Sequence, residues 1–262
     1  MTTLLILIDG LRPDALAQAD APAMNGLRRR GAWTLQARSV MPNITLVCHM
    51  SIFHSVPPSR HGITQNLYQP LARPLPGLFE RVKEAGLKAA FFYNWETLRD
   101  LGRPGSLHFS YFHDSSYDLA NGDRQVAQEA VCYIEREKPD FVFLYLGSTD
   151  VRGHACGWMS EEYLAHVTHI DRLIGDVLDG LPPGSTVLLQ SDHGGHERMH
   201  GTDIPEDMLI PWIVTGPNIR RDYEIQQPVS LLNTAPTITA VLGIDSVPAW
   251  EGACVDEIFE AG

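Results

Sequence analysis

Three carboxylates and three imidazoles in this chain stand just beyond apolar runs, where side chains from separate strands can meet. Leu4–Ile8 is followed by Asp9-Gly10. Phe141–Leu146 leads into Gly147-Ser-Thr-Asp150, with His154 four residues on. Thr186–Gln190 leads into Ser191-Asp192-His193-Gly194, and His200 follows in Arg198-Met-His-Gly-Thr202. An aspartate at a strand end is commonly a turn former or helix cap, so one alone says little. Three together, two of them beside an imidazole, point to a site. Mixed carboxylate and imidazole donors suit zinc or another borderline divalent metal rather than calcium. Two such ions, typically ~3.5–4 Å apart, clamp the attacking and leaving oxygens of a phosphoryl transfer.

Positioning these residues requires strands that end at a common edge. The runs Leu4–Ile8, Ala89–Tyr93, Phe141–Leu146, Thr186–Gln190 and Ile210–Val214 are continuously apolar rather than alternating. This predicts buried parallel strands covered on both faces. Helical patterns lie between them. Pro76–Ala85 stops at Gly86, and Asp123–Lys138 stops before Pro139. Ser160–Leu181 opens with a capping serine and two glutamates and carries an apolar stripe from Leu164 to Leu178. Alternation of strand and helix predicts an α/β fold, a doubly wound, mostly parallel sheet with helices on both faces. Ligands of such sheets bind beyond the carboxyl ends of the strands, where the aspartates lie. One domain is expected over residues 1–262, with the irregular segment Arg99–Gly122 as the place for a small cap or specificity loop.

Other readings are excluded or set aside. His196-Glu-Arg-Met-His200 matches the H-E-x-x-H pattern of zinc proteases, which needs a helix to bring both histidines to one face. Flanking Gly194-Gly195, Gly201 and Pro205 leave it little room to be helical. There is no G-x-G-x-x-G, no G-x-x-x-x-G-K-[ST] and no G-x-S-x-G. Cys48, Cys132, Cys156 and Cys254 are far apart and are expected to be reduced core thiols. With 20 Lys+Arg against 32 Asp+Glu the formal net charge is -12, which argues against a partner of polymeric nucleic acid. No run is long enough to suggest a membrane partner. The N-terminal run lacks a basic flank and stops at Asp9, so a cytoplasmic location is expected.

The order Ile8-Asp9-Gly10-Leu-Arg12-Pro13-Asp14, Pro42-Asn-Ile-Thr45, His61-Gly62-Ile63, Asp150…His154, Ser191-Asp192-His193-Gly194 resembles the alkaline phosphatase superfamily. Within it the pattern is similar to the nucleotide pyrophosphatase/type I phosphodiesterase branch. The resemblance runs from residue 3 to about 258, with Asn233-Thr-Ala-Pro-Thr237 leading into a closing helix. It implies an alkaline-phosphatase-like metallohydrolase domain. It implies Thr45 as nucleophile and metal contact, and Asn66 as donor to a phosphoryl oxygen. Asp150, His154 and His200 match the ligands of one metal. Asp9, Asp192, His193 and Thr45 match those of the other. For the first metal His196 competes with His200.

The expected cofactors are two divalent ions, zinc or alternatively manganese. The expected partner is a small phosphate-ester substrate such as a nucleotide. Metal coordination makes a threonine hydroxyl a usable nucleophile, and the N–H groups at the start of a helix Leu46–His54 suit a phosphoryl oxygen. The expected reaction is hydrolysis of phosphodiester or nucleotide pyrophosphate bonds through a phospho-threonine intermediate. Arg12 and Arg60 are the cations that would instead suit a monoester. A phosphonate hydrolase or a phosphomonoesterase is the alternative. A sulfatase is disfavoured, because Val56 stands where the C-x-P-S-R motif requires cysteine.

Overall fold

The computed structural model describes residues 1–70, 75–116 and 118–260. In chain order the elements are β1 (Thr3–Ile8), α1 (Ala15–Gln18), α2 (Pro22–Arg30), β2 (Ala32–Arg38), α3 (Thr45–His54), α4 (Pro58–His61), α5 (Leu78–Glu84), β3 (Ala89–Tyr93), β4 (Phe109–Phe112), α6 (Leu119–Glu137), β5 (Phe141–Leu146), α7 (Ser148–Cys156), α8 (Glu161–Asp179), β6 (Thr186–Gln190), α9 (Pro205–Met208), β7 (Leu209–Thr215), β8 (Tyr223–Glu224) and α10 (Thr234–Val241). The strands form one sheet of order β4-β3-β5-β1-β6-β7-β2-β8.

The central strands are apolar throughout because both faces are covered. Leu5 and Leu7 of β1 pack with α3, α5 and α10 residues such as Phe53, Phe79 and Ile238. Leu4, Ile6 and Ile8 pack on the other face with Met24, Val126 and Ile174 of α2, α6 and α8. Every residue of β1, β3, β5 and β6 is buried. That is the physical origin of the non-alternating pattern.

Several expectations need correction. The Ile210–Val214 run is a strand, but it pairs antiparallel with both β6 and β2. Burial on both faces gives the same apolar run in either direction, so composition could not show it. The segment Arg99–Gly122 is not simply an irregular insertion. Phe109–Phe112 is an edge strand of the main sheet, parallel to β3, and its half-exposed pattern hid it. Tyr117 of that segment lies outside the described residues. Helix α6 starts at Leu119 rather than Asp123, because Asp123 faces inward instead of capping. Strands β2 and β8 were also not anticipated. All four cysteines are free, yet only Cys48 is a core residue; Cys132 is exposed and Cys156 and Cys254 are partly so. Among the described residues no helix is long and apolar enough to cross a membrane.

Candidate active site

The site forms at the carboxyl ends of three neighbouring strands, β5, β1 and β6. Ile8 is in register with Leu146, and the Asp9 N–H donates to Leu146 O at 3.0 Å. Gly10 turns the chain with φ +68°. A side chain there would be strained, and its Cβ would come 3.0 Å from the Cα of Asp150. The Gly10 carbonyl accepts from Trp158 Nε1 and from the Tyr163 hydroxyl, each at 2.9 Å. Asp150 and His154 are one turn apart on α7, which puts both on one face. The turn after β6 is held by Ser191 Oγ, which accepts from Leu11 N at 2.9 Å, and by Ser39 Oγ, which donates to Asp192 O at 2.6 Å.

Thr45 is the first residue of α3, not its cap, which is Ile44. Its Oγ1 lies 3.4 Å from His193 Nε2. Asn66 comes from the loop after α4, and its Oδ1 accepts from Leu46 N at 3.0 Å. An N–H requires an acceptor, so this bond fixes the amide orientation and turns Nδ2 away from the helix. The Leu46 N–H at the helix start is therefore spent on orienting Asn66.

Asp9, Asp150, His154, Asp192, His193 and His200 come together. His193 Nε2 is 3.2 Å from Asp9 Oδ1 and 3.5 Å from Asp192 Oδ2. Asp150 Oδ2 is 3.5 Å from His154 Nε2, and its Oδ1 is 3.6 Å from His200 Nε2. Two sets of donor atoms lie within 4.8 Å of one another: Asp150–His154–His200 and Asp9–Asp150–His193.

The hydrogen bonds show what these groups face. His193 Nδ1 is 2.8 Å from Gly194 O, His154 Nδ1 2.8 Å from Arg198 O, and His200 Nδ1 2.9 Å from Asn43 O. A carbonyl only accepts, so each Nδ1 carries a proton and each ring turns its Nε2 towards the carboxylates. Asp9 Oδ1, Asp150 Oδ1 and Asp192 Oδ2 are buried with no hydrogen-bond partner. Buried acceptors with no partner, grouped with imidazole nitrogens, form a donor set that could hold a cation.

Titration behaviour follows. Burial and then Asp9 push the Asp150 carboxyl up to about 7. Burial and then Asp9 also push Asp192 well up. Burial opposes charge on His193, but the facing Asp192 and Asp9 raise its pKa nonetheless. Burial and then His193 bring His200 down to about 4.

His196 is elsewhere. Its Nδ1 is 2.7 Å from Asp207 Oδ1, and Asp207 also takes the Thr202 hydroxyl at 2.7 Å. The pentad folds as a tight turn, His196 bridging Met199, with Glu197 at φ 46°. It is not helical, and His200 alone of its two histidines joins the carboxylates.

A cavity of about 310 Å³ opens over the centre. Asp9, Thr45, Asn66, Asp150, His154 and His200 line one side. Asn94, Trp95, Ser115, Ser116, Tyr145, Gly147, Ser148 and Val151 also line it. No lysine or arginine lines it among the described residues. Arg60 pairs with Glu251 at 2.6 Å, and Arg12 binds Asp14 and the Gly195 carbonyl. His108, His113, Tyr68, Tyr93 and Phe112 do not line it.

Sequence reasoning missed Tyr145 and the role of His166, while His49 and His61 are the loop-shaping residues it points to. The Tyr145 hydroxyl donates to Asp9 Oδ2; the signal was one hydroxyl near the end of an otherwise apolar strand. His49 donates from Nδ1 to Thr45 O at 2.7 Å, and burial lowers its pKa to about 4. His61 accepts from Ile63 N and meets Ser51 Oγ, shaping the loop after α4. His166 is not a bystander, because its Nε2 lies 2.6 Å from Ser148 Oγ.

The family model for type I phosphodiesterase / nucleotide pyrophosphatase matches residues 3–209. The human ectonucleotide pyrophosphatase/phosphodiesterase family member 1 is 27% identical over 223 residues, which cover 73% of this chain and 23% of that protein. A venom phosphodiesterase of Macrovipera lebetinus is 26% identical over 219 residues, covering 73% of this chain and 25% of that protein. The chain thus spans about a quarter of the length of these relatives. The structure of an inactive variant of murine ectonucleotide pyrophosphatase/phosphodiesterase 5 in complex with AMP superposes with a TM-score of 0.84 at 13% identity, covering 99% of this chain and 100% of that one. That likeness establishes the fold. With most of its length matched by the family model, and with an α/β domain of the same architecture, the chain belongs to the type I phosphodiesterase/nucleotide pyrophosphatase family.

Proposed function

We propose that this protein hydrolyses the phosphodiester or nucleotide pyrophosphate bond of a small substrate, using two divalent cations and a covalent phospho-Thr45 intermediate. One observation carries the reading: the unpartnered oxygens of Asp9, Asp150 and Asp192 lie buried near Thr45 and face the Nε2 atoms of His193 and His200. The residues fit two ions. Asp150, His154 and His200 would hold one. Asp9, Asp192 and His193, with Thr45 Oγ1 at their edge, would hold the other. The nitrogen and oxygen donor set favours zinc, with manganese the next choice. When bound, such ions supply Lewis acidity that lowers the pKa of a hydroxyl and screens charge on phosphoryl oxygens.

The protein's own groups do the rest. Thr45 Oγ1 forms the new bond to phosphorus while the bond to the leaving oxygen breaks. Water then cleaves the phospho-threonine ester. Asn66 aims Nδ2 at a phosphoryl oxygen, because Leu46 N–H holds the other end of its amide. Tyr145 and His49 fix Asp9 and the Thr45 backbone without entering the reaction. The absence of lysine or arginine among the described cavity residues favours a diester over a monoester, whose second negative charge needs a further cation. AMP in the complex of the murine relative is consistent with a nucleotide substrate.

The test compares kcat/KM for bis(4-nitrophenyl) phosphate and 4-nitrophenyl phosphate. The diester is expected to be preferred, and Thr45→Ala to abolish turnover with the fold intact. A clear monoester preference, or an active Thr45→Ala protein, would overturn the reading.

A further inference from the structure

Asp123 of α6 is 2% exposed and lies outside the carboxylate cluster. It does not line the cavity. Its carboxylate collects four donors from two other parts of the chain. Asn94 Nδ2 donates to Oδ1 at 2.6 Å, and Gly147 N donates to the same oxygen at 3.0 Å. Ser148 N, at 3.3 Å, and the Ser148 hydroxyl donate to Oδ2. The serine has one proton and has given it to the carboxylate. His166 of α8 therefore donates from Nε2 to Ser148 Oγ, 2.6 Å away.

Gly147 and Ser148 are the cap and first residue of α7, and no side chain of that segment caps the helix. Asp123 takes this role from a different helix. It neutralises two of the N–H groups left open at a helix start and places negative charge at the positive end of the dipole. Asp150 lies in that same first turn of α7, and His154 in its last turn. Asp150 Oδ1 has no hydrogen-bond partner, and the nearest imidazole nitrogens, those of His154 and His200, stand 3.5 and 3.6 Å from its carboxylate. Its position is set by where the first turn of α7 sits, and that turn is anchored by Asp123.

We propose that Asp123 is the positioning residue of the Asp150–His154–His200 metal site, acting through Gly147 and Ser148. The proposal rests on the two-cation reading above. An aspartate at this place is costly to bury, and burial raises its pKa. A capping role for stability alone would be met by a neutral side chain. A charge that draws four donors to one point fixes the helix against both rotation and translation. Ligand atoms held in this way bind a metal without first being ordered, and loss of such support typically costs 10–100-fold in affinity.

The experiment is calorimetric titration of metal-free full-length protein with Zn²⁺, with circular dichroism as the check on folding. Wild type is expected to take two ions. Asp123→Ala is expected to weaken one of them about 10–100-fold and leave the other within a few-fold. If Asp123→Ala does not fold, Asp123→Asn decides, since it keeps the shape but sets an amide N–H against the Ser148 donors. The same substitution in a His200→Ala background, where that site is already broken, should change Zn²⁺ binding no further. Two ions bound with wild-type affinity by the folded Asp123 variant would overturn the proposal. So would equal weakening of both ions, which would indicate general loosening. A wild-type protein that takes no Zn²⁺ would overturn the two-cation reading itself, a result visible before any variant is made.

Discussion

Replacing Asp150 by asparagine should make the metal-free protein more stable while destroying metal binding. Asp150 sits on α7 with its side chain only 15% exposed, beside Asp9 and facing two imidazole lone pairs. Burial and then Asp9 raise its pKa from 3.8 to about 7. Between those values the folded chain keeps a proton that the unfolded chain has released. Stability therefore falls as pH rises through the window, and the loss is complete above about 7. At ~1.36 kcal/mol per unit, the full penalty is about 4 kcal/mol. Asparagine removes the charge but must place its own amide, so the gain expected at pH 8 is roughly 1–3 kcal/mol. That is a rise in Tm of about 2–10 °C for a chain of this size. The assay is thermal unfolding of chelator-treated wild type and Asp150→Asn between pH 5 and 8. The difference should shrink towards pH 5, where wild-type Asp150 is protonated. Saturating Zn²⁺ should invert the order, since an ion at ~1,000 times its Kd stabilises the wild type by about 4 kcal/mol. A metal-free variant less stable than wild type at pH 8, or a gain independent of pH, would refute the reasoning.

Other substitutions separate roles that the geometry assigns. Asn66→Ala should lower kcat on a diester about 10²–10³-fold, the usual loss for one donor to developing charge, with little change in Tm; steady-state kinetics and a melt check this. His200→Ala should reduce bound Zn²⁺ from two ions to one. His196→Ala should keep both ions but cost about 1–3 kcal/mol of stability by stripping Asp207 of its buried partner; metal analysis alongside denaturant unfolding tells the two apart.

The central sheet was legible because its strands are buried on both faces, so Phe141–Leu146 and Thr186–Gln190 stand out as apolar runs with the ligand aspartates at their ends. Direction was not legible: β7 is as apolar as β6 but runs against it. Edge strand Phe109–Phe112 was not legible either, since half its residues face solvent and break the run. The carboxylates and imidazoles of the centre could be found from residue type and place. Their support could not. Asp123 looks like any helix-start aspartate, and His166 like any polar position on α8. Only the packing of α6, α7 and α8 joins them through Ser148. Distance from the motif concealed Tyr145 in the same way, since nothing local says that its hydroxyl meets Asp9. Choosing between His196 and His200 needed the turn at Glu197, which sends one imidazole to Asp207 and the other to Asp150.

The central claim is that Asp9, Asp150 and Asp192 are held together in order to bind two ions that the reaction requires. The direct measurement is reconstitution of chelator-treated protein with increasing Zn²⁺, following bound metal and hydrolysis of bis(4-nitrophenyl) phosphate in the same samples. Activity should be absent at the start, rise with added metal and level off at two ions per chain. Full activity in metal-free protein, or a plateau reached with a single ion bound, would contradict the account.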